Sequence, residues 1–157
     1  MPEGVPTVAS LVRARADDQS PGLLFEGRTW TWAEHTAEAA ARAAWYAGRR
    51  PAGGPPHVGV LLENVPEYSF WLAAAALGRF VLVGLNSTRQ GESLAADVRG
   101  TDCHLVLTDR PELVAGLDLG GAEVVDPHRP YAPAELPPDR ADSDDLYLLI
   151  FTSGTTG

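Results

Sequence analysis

The sequence predicts an α/β fold: a mostly parallel sheet with helices on both faces. Three observations carry this expectation. From residue 57 onward, short apolar strand-like runs alternate with helical stretches, the pattern of parallel strands joined by crossover helices. Tyr68–Leu77 is apolar nearly all round, with Phe70, Trp71, Leu72 and four alanines, which suits a helix covered on several sides. Leu146–Phe151 is an unbroken apolar run that reads as a buried strand and leads directly into a stretch rich in glycine and hydroxyls.

Taken in order, Thr7 is placed to cap a helix through about Gln19, with Val8, Leu11 and Val12 at helical spacing. Leu23–Phe25 and Arg28–Trp30, joined through Glu26-Gly27, read as a short hairpin. Thr31 and Glu34 form a T-x-x-E capping box, opening a helix to about Tyr46. Its expected packing stripe is Ala33, Ala37, Ala40, Ala41 and Ala44, with Gly48 near its end. Arg49–Pro56 is a Pro/Gly loop, and Val58–Leu62 a strand. Asn64 is the expected cap of the next helix, with Pro66 in the first turn, where a missing N–H costs nothing. Phe80–Leu85 is a strand, Glu92–Arg99 a helix ending at Gly100, and His104–Leu107 a strand. A short helix after Pro111 and the strand Glu123–Val125 complete the series. Asp126–Asp145 carries five prolines and six acidic residues and reads as an exposed connector.

Composition narrows the partners. With 45% hydrophobic and 21% charged residues, the chain lies in the globular range. A net charge of −9 argues against nucleic acid or an anionic membrane, both of which need clustered basic residues. All 12 basic residues are arginine, and coding bias in a GC-rich genome accounts for that. Cys103 is the single cysteine, which excludes an intrachain disulfide and fits a reducing compartment. Met1–Pro6 carries neither a basic nor an apolar leader region, and no run reaches the ~18 apolar residues of a membrane helix. A cytoplasmic location is expected.

Several common chemistries lack their residues. No G-x-G-x-x-G follows a strand, so the dinucleotide fingerprint is missing. His35, His57, His104 and His128 are not at metal-ligand spacing, and no metal site is assigned. His104, at a strand start, reads as a hydrogen-bonded structural histidine. Ser153 lies in S-G-T-T-G rather than the G-x-S-x-G of a nucleophile elbow. Trp30, Trp32, Trp45 and Trp71 fall at core positions of helices and strands.

The terminal stretch Thr152, Ser153, Gly154, Thr155, Thr156 and Gly157 is different. Glycine lets successive amides converge on an anion, and four hydroxyls add donors suited to phosphate oxygens. Its spacing is not that of G-x-x-x-x-G-K-[ST]. On its own such a tail also reads as a solvated terminus, but a strand running straight into it is the layout of a nucleotide-binding loop. Phe151–Gly157 closely resembles the signature loop of the adenylate-forming superfamily: acyl-CoA synthetases, peptide-synthetase adenylation domains and luciferases. Thr31-Trp32-Ala33-Glu34, Asn64-Val65-Pro66-Glu67, Gly78–Asn86, Glu92-Ser93-Leu94 and Asp102-Cys103 stand in family order as well. Position 84, usually proline in the family, is glycine here. Asn86, after that strand, reads as a turn or cap. Thr-Ser-Gly-Thr-Thr-Gly wording is similar to that of acyl-CoA synthetases, and fatty-acid-CoA ligases in particular.

The resemblance implies an ATP-dependent ligase that makes an acyl-adenylate from a carboxylic, fatty acid and passes the acyl group to CoA, with ATP, Mg2+ and CoA as cofactors. Thr152–Gly157 would bind the nucleotide; no catalytic residue is assigned, because the family's other active-site segments come later in the chain. Residues 1–157 then form part of an N-terminal AMP-binding domain. Residues 7–56 are a helix–hairpin–helix lead-in, 57–126 the βαβ units, 127–145 the connector, and 146–157 the strand and phosphate loop. The family loop continues to a Pro-Lys pair, so these residues by themselves are expected neither to form acyl-adenylate nor to hold ATP tightly. The alternative is a truncated non-catalytic relic, or a fragment without activity of its own.

Overall fold

Five of the predicted strand segments pair side by side in parallel. The computed structural model describes residues 4–152. Strand β3 (His57–Leu61) lies between β4 (Val81–Gly84) and β5 (Cys103–Thr108). Strand β6 (Glu123–Val125) extends the sheet beyond β5, and β7 (Leu148–Ile150) beyond β4, giving the order β6-β5-β3-β4-β7 with every pair parallel. A separate antiparallel hairpin, β1 (Pro21–Phe25) and β2 (Arg28–Thr31), precedes it. Its tip holds Glu26 and Gly27 at φ 47° and 81°, the left-handed pair a two-residue hairpin turn requires.

Strand alternation divides the core in two. On one face Val58, Val60, Leu82, Leu105 and Leu107 meet α2 (Trp32–Ala47) and α3 (Pro66–Gly78), with α1 (Val8–Arg13) at the margin. On the other, Leu61, Val81, Val83 and Val106 meet Leu94, Ala95 and Val98 of α4 (Gly91–Gly100). Helices therefore cover both faces, as the strand–helix alternation predicts. Trp71, on the all-round apolar helix, is fully buried.

The structure corrects five local expectations. Helix α1 ends at Arg13 rather than near Gln19; the next residues turn more tightly, with Arg15 N bonded to Val12 O and Ala16 N to Arg13 O. In α2 the capping box is present, but the buried face is rotated from the alanine stripe. Ala40 and Ala41 are buried, whereas Ala37 and Ala44 are exposed. His35, Ala39, Arg42, Ala43 and Tyr46 share the covered side, because Ser69 and Glu67 on α3 satisfy the polar members. Asn64 does not cap α3: Val65 is the N-cap, without a side-chain bond, and Pro66 takes the first turn.

The fourth correction concerns the connector. It has no helix or strand, but it is not simply exposed: Tyr131, Leu136 and Ala141 pack against the core. The Tyr131 ring stands edge-on to Trp45 at 5.9 Å, and the Arg42 guanidinium lies 4.4 Å from its centre. Arg13 donates to the Pro137 carbonyl, and Arg79 forms two bonds to Asp145 at 2.9 and 3.0 Å. The segment is a strap carrying the chain from one sheet edge to the other. Fifth, the last strand is half the expected length and only partly covered, because β7 is an edge strand: Ile150 is 64% exposed and Leu146 54%.

Candidate functional site

Parallel sheets gather their loops at the carboxyl ends of the strands, where ligands of open α/β sheets bind. Here that edge is formed by the residues after β3, β4, β5, β6 and β7. Strand β7 reaches it through the register Leu82↔Leu148, Val83↔Leu149, Gly84↔Ile150, and Leu82 N donates to Tyr147 O at 2.9 Å. The chain then leaves the sheet at Phe151 and Thr152, both exposed and without regular structure. Thr152 is thus placed at the carboxyl edge, one strand from β4. The other predicted nucleotide-binding residues, Ser153, Gly154, Thr155, Thr156 and Gly157, lie outside the described residues.

Asn86 follows β4 beside this exit. Its Oδ1 accepts from Thr88 N at 2.9 Å and from Thr88 Oγ1 at 2.7 Å, and Arg89 N bonds to its carbonyl at 3.1 Å. This is the turn role read from the sequence, now with its bonds visible. Arg89 is in turn held by Asp97 at 2.6 Å. After β5, Arg110 stands 3.6 Å from Glu63 and 3.5 Å from Glu112, while His128 Nε2 is 3.2 Å from Asp109. These pairs spend the local charges on one another. Among the described residues no three His, Cys, Asp or Glu side chains converge, so none is assigned as a magnesium ligand.

Beneath the edge, α2 and α3 are locked by a buried polar network that the sequence reading misses. Arg42 Nε and Nη2 donate to Glu67 Oε1 and Oε2 at 2.6 and 2.8 Å, and Nη1 reaches Glu38 Oε2 at 2.6 Å. Trp71 Nε1 donates to Glu67 Oε1 at 2.9 Å, and both members of the ion pair are buried. The glutamate is positioned two residues into α3, where the helix dipole favours a negative charge. A signal does exist: Glu38 and Arg42 are four apart on one helix. Nothing local, however, points to Glu67.

Tyr68, the next residue on α3, is also missed by sequence reading, which offers it only as the start of an apolar helix. Its hydroxyl reaches over Gly84 at the end of β4, and burial pushes its pKa above the ordinary value. His35 bonds Ser69 at 2.8 Å and sits edge-on to Phe70, and burial pushes it below its ordinary value. His104 accepts from or donates to the Tyr46 hydroxyl at 2.8 Å, the structural role expected of it.

The AMP-binding enzyme family matches this chain over residues 12–157. A steroid-22-oyl-CoA synthetase of Rhodococcus jostii is 44% identical over 166 aligned positions, covering 96% of this chain and 29% of that protein. A medium/long-chain-fatty-acid–CoA ligase of Mycobacterium tuberculosis is 40% identical over 157 positions, covering 97% of this chain and 31% of that protein. The chain thus spans about a third or less of the curated relatives it matches. Among solved structures, an artificially fused adenylation–PCP di-domain, NpsA-ThdA from Klebsiella oxytoca, superposes with a TM-score of 0.78 at 19% identity, over 96% of this chain and 29% of that one. That last likeness concerns the fold alone. With the family model matched over residues 12–157, nearly the whole of its length, the chain belongs to the AMP-binding enzyme family.

Proposed function

We propose that this chain supplies the phosphate-binding part of an acyl-CoA synthetase. A carboxylate oxygen attacks the α-phosphate of ATP, the bond to the β-phosphate breaks, and acyl-adenylate and pyrophosphate form. The CoA thiol, losing its proton, then attacks the acyl carbon and displaces AMP. The role of Thr152–Gly157 is positional and electrostatic: backbone amides and hydroxyls hold the β- and γ-phosphates so that the α-phosphate lies in line. The observation that carries the reading is the S-G-T-T-G sequence directly after a strand at the carboxyl edge of a parallel sheet. The relatives' names support a bulky apolar carboxylic acid, steroid-derived or fatty, as the acyl substrate. A reducing, cytoplasmic setting fits the single buried thiol, Cys103.

The test is ATP–pyrophosphate exchange in the full-length protein, with fatty and steroid carboxylic acids as substrates. Thr155→Ala combined with Thr156→Ala is expected to lower exchange by about a hundredfold, the scale of losing an oriented donor, while leaving the unfolding midpoint unchanged. Equal exchange in wild type and variant would overturn the assignment of the loop.

A further inference from the structure

Gly84 closes β4 and faces the α3 side of the sheet, as Leu82 does two residues earlier. Opposite it in register is Ile150, the last residue of β7 and two residues before Thr152. A β-carbon at position 84 would lie 2.6 Å from the Tyr68 hydroxyl oxygen and 3.3 Å from Ile150 Cγ2. Real side chains do not approach so closely, so the Tyr68 hydroxyl occupies the space that any residue but glycine would claim. Tyr68 is not free to swing aside: it is half-buried on α3 and packs against the core cluster that includes Leu82. The neighbouring Glu67 and Ser69 are pinned to α2 through Arg42 and His35.

We propose that Tyr68 is a positioning residue for the nucleotide loop. Its hydroxyl wedges between β4 and the end of β7 and so fixes where the chain leaves the sheet at Phe151 and Thr152. Gly84 is the matching vacancy, and the two positions act as one unit. This inference rests on the reading of Thr152–Gly157 as a phosphate loop, and it makes the point at which the chain leaves the sheet a property of α3. A shift of β7 by a few tenths of an ångström moves the exit at Phe151 and Thr152, and orientation errors of that kind act on ligand affinity before they act on fold.

The experiment is a double-mutant cycle in the full-length protein with Tyr68→Phe, Gly84→Ala and the pair combined. Two readouts are taken: KM for ATP in pyrophosphate exchange, and hydrogen exchange of the Leu148–Ile150 amides. Gly84→Ala is expected to raise KM for ATP about tenfold, with kcat within about twofold, and to speed exchange along β7. Tyr68→Phe alone leaves a small void and raises KM about threefold. In the double variant the oxygen that meets the new β-carbon is absent, so KM and β7 exchange both return toward the Tyr68→Phe values. A merely structural contact would show the rescue in β7 exchange while KM for ATP stays at the wild-type value in every variant, and that result, like additive losses, overturns the proposal. Should Gly84→Ala be insoluble, KM for ATP in Tyr68→Phe alone decides the same point, a value unchanged from wild type overturning the proposal. If wild type shows no pyrophosphate exchange, the nucleotide reading fails, and amide exchange alone still judges the Tyr68–Gly84 unit.

Discussion

Each of the four histidines has a named partner: His35 with Ser69, His57 with the Thr101 carbonyl, His104 with Tyr46, His128 with Asp109. For His35 and His104 burial is the first cause of a downward shift, joined for His35 by the positive charge of Arg42 and opposed by Glu38. For His104, nearby His57 adds to the shift and Glu123 opposes it. The sign of the consequence follows from proton counting. The unfolded chain binds a proton near the ordinary value of 6.5, the folded chain only at lower pH, so acid favours unfolding. Stability is therefore fully present above that value and falls as pH drops below it. Urea midpoints measured from pH 8 to pH 5 should decline over the acid half of that range, and His35→Gln should shrink the decline without abolishing it, since His104 remains.

At the scale of elements, the contact of α2 with α3 depends on one ion pair as much as on alanine packing. Arg42 and Glu67 are each about nineteen-twentieths buried, so removing Glu67 strips the buried guanidinium of two of its bonds and leaves only the more exposed Glu38 as counter-charge. Glu67→Ala should cost about 3–5 kcal/mol in denaturant unfolding, whereas Arg42→Met with Glu67→Leu should recover most of it. The loss also reaches the strap, because the same guanidinium supports the Tyr131 ring. This network shows why parts of the fold were legible in sequence and others were not. The hairpin and the Thr31/Glu34 box are written in neighbouring residues, and both stand as read. The face of α2 is not, because alanine is small enough to sit on either side and the deciding residues, Ser69 and Glu67, lie on another helix. Tyr131 in a proline-rich acidic stretch looks solvated until Trp45, Trp71 and Arg42 are brought to it by the sheet. The loop is proposed on its wording alone, a local spacing of glycine and hydroxyls; the close approach of Tyr68 to Gly84 is not written in neighbouring residues, since the two meet only across α3 and β4.

For the whole molecule, the route of the chain matters more than any single contact. Strands β3 to β6 are laid down one after another, each beside a strand already made. The strap then carries the chain from β6 back across the sheet to β4, where β7 pairs along only three residues. Pairing over such a sequence separation is slow, because the intervening chain must be ordered first. Pulse-labelled hydrogen exchange during refolding should protect Val58–Val60 and Leu105–Leu107 before Leu148–Ile150; simultaneous protection would contradict this order. On a ribosome the consequence is one of timing. Residues 146–152 emerge after the surface that receives them, and the strap must be seated before β7 can be held. Among the described residues, the stretch that ends at Thr152 is thus the last to be put in place, and the direction in which the chain leaves the sheet is settled only once the rest of the sheet stands.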